Sequence, residues 1–160
     1  MKRKFYYLFP MLLMAAMSVG FISCGSDDDE PAGKNPSGGD DSPVEISVAN
    51  LIGTWQLTRT EEYDKDGTLE EAGSSEEPIY LHFSADGTAT EYERDGNSWW
   101  VDSFTYTLSG KYLDYSKDRN EIVTLTKNQL VLKHTYSYGG WCIERHKRVS
   151  DSVIDGISTK

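Results

Sequence analysis

From Val44 onward, apolar positions recur every second residue in short runs, and no helical period lasts beyond two turns. The runs are rich in threonine, aromatic and β-branched residues and are broken by turn signals. They predict strands over roughly 54–62, 79–85, 88–94, 98–108, 111–115, 121–126, 129–136 and 140–149. Only "ISVANLI", just ahead of the first strand, reads as a short helical turn. Eight short strands joined by tight turns imply an all-β sandwich or barrel.

Cross-strand register separates the two. A two-residue turn at Lys127-Asn128 sets Thr126 opposite Gln129, Leu125 opposite Leu130 and Val123 opposite Leu132, with the apolar side chains on one face. In "LHFSADGTATEY", a turn at Asp86-Gly87 sets Phe83 opposite Thr90 and Leu81 opposite Tyr92. Consecutive hairpins of this kind form a meander. The fold expected is therefore an eight-stranded up-and-down antiparallel β-barrel, which closes on itself and leaves no exposed edge.

The chain before Val44 has a different character. Met1-Lys2-Arg3-Lys4 is followed by an apolar block from Phe5 to Ile22 and by the small residue Ser23, the pattern of a secretory signal over 1–23. A membrane-spanning helix is the competing reading, against which Pro10, Ser18 and Gly20 interrupt the block. Gly25 to Pro43 holds no large apolar side chain and is dominated by Gly, Pro, Ser and Asp. That composition predicts a tether over 24–43 and a folded domain over 44–160. Formal charge is −10, and loss of Lys2, Arg3 and Lys4 with the leader takes it to −13, which repels nucleic acid.

The run "FISC" resembles the lipobox of bacterial lipoproteins, with Phe21 where leucine is usual. The resemblance implies lipidation of Cys24 and anchoring to a membrane through two or more acyl chains. Cys142 is then the only thiol, with no partner for an intramolecular disulfide, and reads as a small buried apolar residue. Asp27, Asp28, Asp29 and Glu30 resemble the acidic export tag of Bacteroidetes surface lipoproteins, which implies the outer face of the outer membrane. A purely solubilising spacer leaves the periplasmic face open as the alternative.

Gly53-Thr54-Trp55 resembles the Gly-x-Trp motif that opens the first strand of lipocalins and the wider calycin superfamily. "LHFSADGTATEY", "KNQLVLKH" and the closing "KRV" resemble lipocalin-like domains of Bacteroidetes lipoproteins over roughly residues 46–150. The resemblance implies that Trp55 plugs one barrel end and stacks with an arginine from the last strand. Arg145 and Arg148 both qualify: alternation from Trp141 and Ile143 favours Arg145, and the "KRV" ending favours Arg148. No segment matches the second lipocalin motif, and the domain is shorter than a full lipocalin.

Catalytic motifs are missing, and no cofactor is implied. The acidic stretch 61–78 fails as a calcium loop, since Gly73 falls where a bidentate glutamate is needed. His82, His134 and His146 lie on separate strands, with His82 of outward parity, and make no convincing zinc site. Two non-enzymatic readings remain. In one, the barrel binds a small apolar or amphipathic ligand lined by Phe83, Tyr92, Phe104, Tyr106, Leu132 and His134. In the other, the barrel is filled, and Trp99 or Trp100 with the acidic loop docks a surface protein or glycan.

Overall fold

The computed structural model describes residues 41–157. Cys24 and Asp27, Asp28, Asp29 and Glu30 lie outside the described residues. A short helix, α1 (Val48–Leu51), precedes ten strands: β1 (Gly53–Tyr63), β2 (Leu69–Gly73), β3 (Ile79–Phe83), β4 (Thr88–Asp95), β5 (Ser98–Thr105), β6 (Thr107–Ser109), β7 (Tyr112–Tyr115), β8 (Asp118–Leu125), β9 (Gln129–Thr135) and β10 (Trp141–Val149). All pairings are antiparallel, in the order β5-β4-β3-β1-β10-β9-β8-β7-β6, and β2 adds to the far half of β1. This is a nearly closed up-and-down barrel.

The count of ten against the expected eight has two causes. The strand expected over 98–108 bends at Tyr106, so its first part pairs with β4 and its last part with β7. Tyr106 holds that corner: its backbone N–H donates to Gly87 O, its hydroxyl donates to Ser84 O, and its ring packs edge-on against Phe83. The other addition is β2, inside the acidic stretch. Asp64 Oδ1 accepts the N–H groups of Asp66 and Thr68, and Gly67 at φ 84° completes the turn that sends Leu69 back alongside Tyr63. Its strand holds two glutamates and is exposed along nearly its whole length, so no apolar alternation marks it.

Register agrees with expectation in one hairpin and departs in another. Leu125 pairs with Leu130 across Lys127-Asn128, but a bulge between Ile122 and Thr124 pushes Val123 outward, where it is 51 % exposed, and brings Ile122 opposite Leu132. The loop after Phe83 is longer than two residues. Ser84 N–H donates to Thr88 O, only Gly87 takes positive φ, and Phe83 therefore pairs with Ala89. Tyr92 consequently pairs with Tyr80 on the outer face.

Leu51, Trp55, Leu81, Phe83, Tyr106, Leu113, Ile122, Leu125, Leu130 and Leu132 form one buried cluster toward the end where the chain enters β1. Outside this end, the turn Asp151–Val153 is pinned to the barrel by Thr54 Oγ1, which donates to Asp151 Oδ1 at 2.6 Å and lies 2.8 Å from His82 Nδ1. Both Thr54 and His82 have the outward parity of their strands.

Candidate functional site

The two ends of the barrel differ in chemistry. At the closed end Trp55 is fully buried, donates from Nε1 to Leu51 O at 2.8 Å, and carries the Arg148 guanidinium 4.0 Å above its ring. Arg148 also donates to the carbonyls of Asn50, Ile52 and Lys127, binding the helical turn and the β8–β9 hairpin to the last strand. Burial lowers its pKa, and Asp151 works in the opposite direction. The cation thus meets an aromatic face and three carbonyl oxygens in place of water.

Arg145 is elsewhere. On the outer face it shares Glu61 with Arg59, at 3.3 and 2.7 Å. The Arg59 hydrogen bond, with Arg145 adding to it and burial opposing it, holds the Glu61 carboxyl below its usual range. Alternation runs opposite to the parity assumed from Trp141 and Ile143. Trp141 faces out, stacked on Tyr63 at 5.3 Å with Lys133 Nζ 4.6 Å over it, and Cys142, Glu144, His146 and Arg148 face in. A bulge at Thr58 shifts β1 by one residue, so Leu57, Thr60 and Glu62 share this inward face.

Of the residues expected to line a ligand, Phe83, Tyr106 and Leu132 are packed in the closed-end core, with too little free surface to admit a guest. Phe104 packs partly against the same core, and Tyr92 stands outside. His134 alone lies beyond that core, partly exposed on the inward face. There it meets groups that the sequence reading did not single out: Asn120 across the sheet, Tyr136 ring-edge-on at 5.1 Å, and Cys142 on β10. Tyr136 donates to the Glu62 carboxylate, whose oxygens lie 3.0 and 2.9 Å away, and stacks on Tyr138. Burial, reinforced by Glu62, pushes the Tyr136 hydroxyl well above its ordinary range, and burial with Glu144 and Glu62 does the same to the Cys142 thiol. His146, 5 % exposed, is pulled down to about 4 by burial, so it is neutral. Counting back by twos from Arg148 as an inward residue would have found His146, Glu144 and Cys142.

Trp99 and Trp100 divide as adjacent strand residues must. Trp99 stacks on Tyr80 at 5.9 Å on the outer face, with Arg94 5.7 Å over its ring. Trp100 has inward parity but sits at the open rim, 66 % exposed. Among the described residues no group of three or more His, Cys, Asp or Glu side chains is arranged to hold a metal ion.

A barrel with Gly-x-Trp at its first strand, stoppered by an arginine from its last, defines a calycin-type fold. The family model described as "Lipocalin-like domain" matches residues 51–132, and the chain belongs to that family. Among solved structures the chain is similar to the bovine lipocalin allergen Bos d 2, with 14 % identity and TM-score 0.42 over 72 % of this chain and 79 % of that one. It is also similar to a redesigned β-barrel, at 16 % identity and TM-score 0.36 over 68 % of this chain and 100 % of that one. A third is a DUF3598-family protein of unknown function from Nostoc punctiforme, at 11 % identity and TM-score 0.35 over 66 % and 50 % of the two chains. No curated protein matches the chain.

Proposed function

We propose that this chain is a lipid-anchored cell-surface protein whose barrel binds a small amphipathic molecule non-covalently in its open half. One observation carries the binding part: the closed half is filled by its own side chains, and the other half presents the partly exposed Glu62, His134 and Tyr136 on its inward face, with buried Asn120 beside them. A guest there keeps its polar end among hydrogen-bonding groups and its apolar end against the Ile122 and Leu132 floor. The lipocalin-like fold is one that typically binds rather than catalyses.

Anchoring rests on the lipobox-like "FISC", and surface exposure on the acidic run from Asp27 to Glu30. Metabolic labelling with a fatty acid is expected to mark the protein and to fail for Cys24→Ala. Protease treatment of intact cells is expected to remove it, and replacing Asp27, Asp28, Asp29 and Glu30 with Ala to protect it. For binding, native mass spectrometry of protein from its own host is expected to show a co-purifying small molecule. Protein that is always bare, and that shows no tryptophan fluorescence change with any amphipathic compound, would overturn the reading.

A second reading, docking of a surface protein or glycan on a filled barrel, draws on the exposed Trp100 and on Tyr138, which is 67 % exposed. Crosslinking on intact cells that depends on Trp100 would favour it.

A further inference from the structure

Strand β5 leaves one edge of the sheet without a neighbour. It ends the strand order, and β4 pairs with it along its whole length, from Ser98 to Thr105. On its other side β7 covers only the continuation beyond the Tyr106 corner, because Ser116 and Lys117 turn that chain back directly after Tyr115. Register fixes which backbone groups are left over. Tyr106 N–H donates to Gly87 O, so counting by twos along the ladder makes Phe104 with Ala89, Asp102 with Glu91, and Trp100 with Glu93 the hydrogen-bonded pairs. The N–H and C=O groups of Trp99, Val101 and Ser103 therefore point away from β4, toward no strand.

Other margins of the sheet are guarded by short length or by charge, the usual protections of a free edge. β6 is three residues long, and β2 is five with Glu70 and Glu71 side by side. β5 runs for eight residues, "SWWVDSFT", with no lysine, arginine or proline, and pairs with β4 without a bulge. Trp100 stands beside this edge with its ring 66 % exposed, the kind of side chain that anchors a partner. The single charge of the strand is Asp102, exposed and without an ion-pair partner among the described residues.

A row of alternating N–H and C=O groups is matched by the same row on another extended polypeptide. In an antiparallel pair made through Trp99, Val101 and Ser103, the residue opposite Asp102 takes a non-hydrogen-bonded position, where side chains approach most closely. A carboxylate there is disfavoured and a lysine or arginine favoured. β5 of a second copy has no such cation to offer.

We infer that β5 is a docking edge for an extended segment of another protein, which adds as a further antiparallel strand beside Trp99, Val101 and Ser103. On its inward face that segment reads apolar, basic, apolar at every second residue, with the cation opposite Asp102 and the apolar side chains beside Trp100 and Phe104. This inference does not depend on small-molecule binding; it deepens the docking reading drawn from Trp100, on which it rests.

The test uses a blocked heptapeptide, Thr-Val-Thr-Lys-Thr-Val-Thr, and its counterpart with glutamate in place of lysine. Each is titrated into the full chain in nonionic detergent, and residue-resolved amide hydrogen exchange is read at saturation. The lysine peptide is expected to bind at least fivefold tighter than the glutamate peptide. It should slow exchange at the amides of Trp99, Val101 and Ser103 and leave those of Trp100 and Asp102, already bonded to β4, unchanged. Val101→Pro removes an N–H that β4 does not use and is expected to weaken the lysine peptide tenfold or more. Ser103→Pro is expected to act in the same way, and Val101→Thr, which keeps the N–H, to bind as the wild type does. Loss of binding in Trp100→Ala without any effect of either proline overturns strand addition and leaves an indole-centred docking surface standing. Equal binding of the two peptides overturns the basic partner. A protein that sediments as a dimer without peptide, and as a monomer with Val101→Pro, gives the edge to a second copy and overturns the assignment to another protein. No binding of the lysine peptide overturns the inference, and the docking reading then rests on the Trp100-dependent crosslinking alone.

Discussion

A Cβ placed on Gly53 would come within 2.6 Å of Nη1 of Arg148, at a backbone φ of 117° that side-chain-bearing residues rarely adopt. Glycine precedes Trp55 because the guanidinium needs that space to reach Ile52 O while lying over the indole. Gly53→Ala is expected to destabilise by roughly 2–4 kcal/mol through backbone strain and a displaced arginine. Arg148→Lys keeps the charge but loses the planar fork, and about 2 kcal/mol is expected to go with it. Urea midpoints of the two variants check both values; wild-type midpoints for either would refute the plug.

Stability should depend on His146 in one pH window. Its pKa lies near 4 in the fold against an ordinary 6.5, so below 6.5 the unfolded chain binds a proton that the folded one refuses. Its contribution is therefore constant above 6.5, falls as pH drops from 6.5 toward 4, and levels off below. The expected loss is on the order of 3 kcal/mol over that window. The measurement is the difference in unfolding free energy between the wild-type protein and His146→Leu from pH 4 to 8. A difference that does not vary with pH would place this imidazole in water.

Cys142 should be chemically silent in the folded protein. Burial and the neighbouring carboxylates of Glu144 and Glu62 raise its thiol pKa, so little thiolate exists near neutrality. With a colorimetric disulfide reagent at pH 8, labelling is expected to proceed only as fast as the protein unfolds. Labelling at the rate of a free thiol would contradict its position inside the barrel.

Neighbouring apolar residues of one strand should behave oppositely. Val123 is bulged into solvent, so Val123→Thr is expected to change stability by less than about 0.5 kcal/mol. Ile122→Ala removes part of the floor against Leu132 and should cost about 2–4 kcal/mol. Similar losses for both would mean the bulge is absent in solution.

These two residues also show how far the sequence could be read. Val123 and Leu132 match by strict alternation, and a single inserted residue undoes the match without leaving any trace in composition. The same limit governed the β3–β4 hairpin, where a loop one residue longer than assumed slipped the register by one and carried Tyr92 from the lumen to the outside. Most of the strands, their order and the barrel were legible because nearly every hairpin writes its turn in glycine, asparagine or aspartate; β7–β8 turns instead on Ser116-Lys117, both at positive φ. The polar half was not, because its inward side chains are glutamates, histidines and a tyrosine, which alternation arguments assign to water. Thr58, the bulged residue that aligns Glu62 with Cys142, has nothing to announce it.

Tyr106 leaves a last consequence. The two terminal strands of the sheet, β5 and β6, are consecutive pieces of one run of chain, hinged at this residue. Whatever frees its ring and hydroxyl from Phe83 and Ser84 lets the cylinder unroll and offers both margins at once to a second molecule. A barrel opened in this way is prone to polymerise strand by strand, and the tyrosine at the seam acts as its latch against fibre formation.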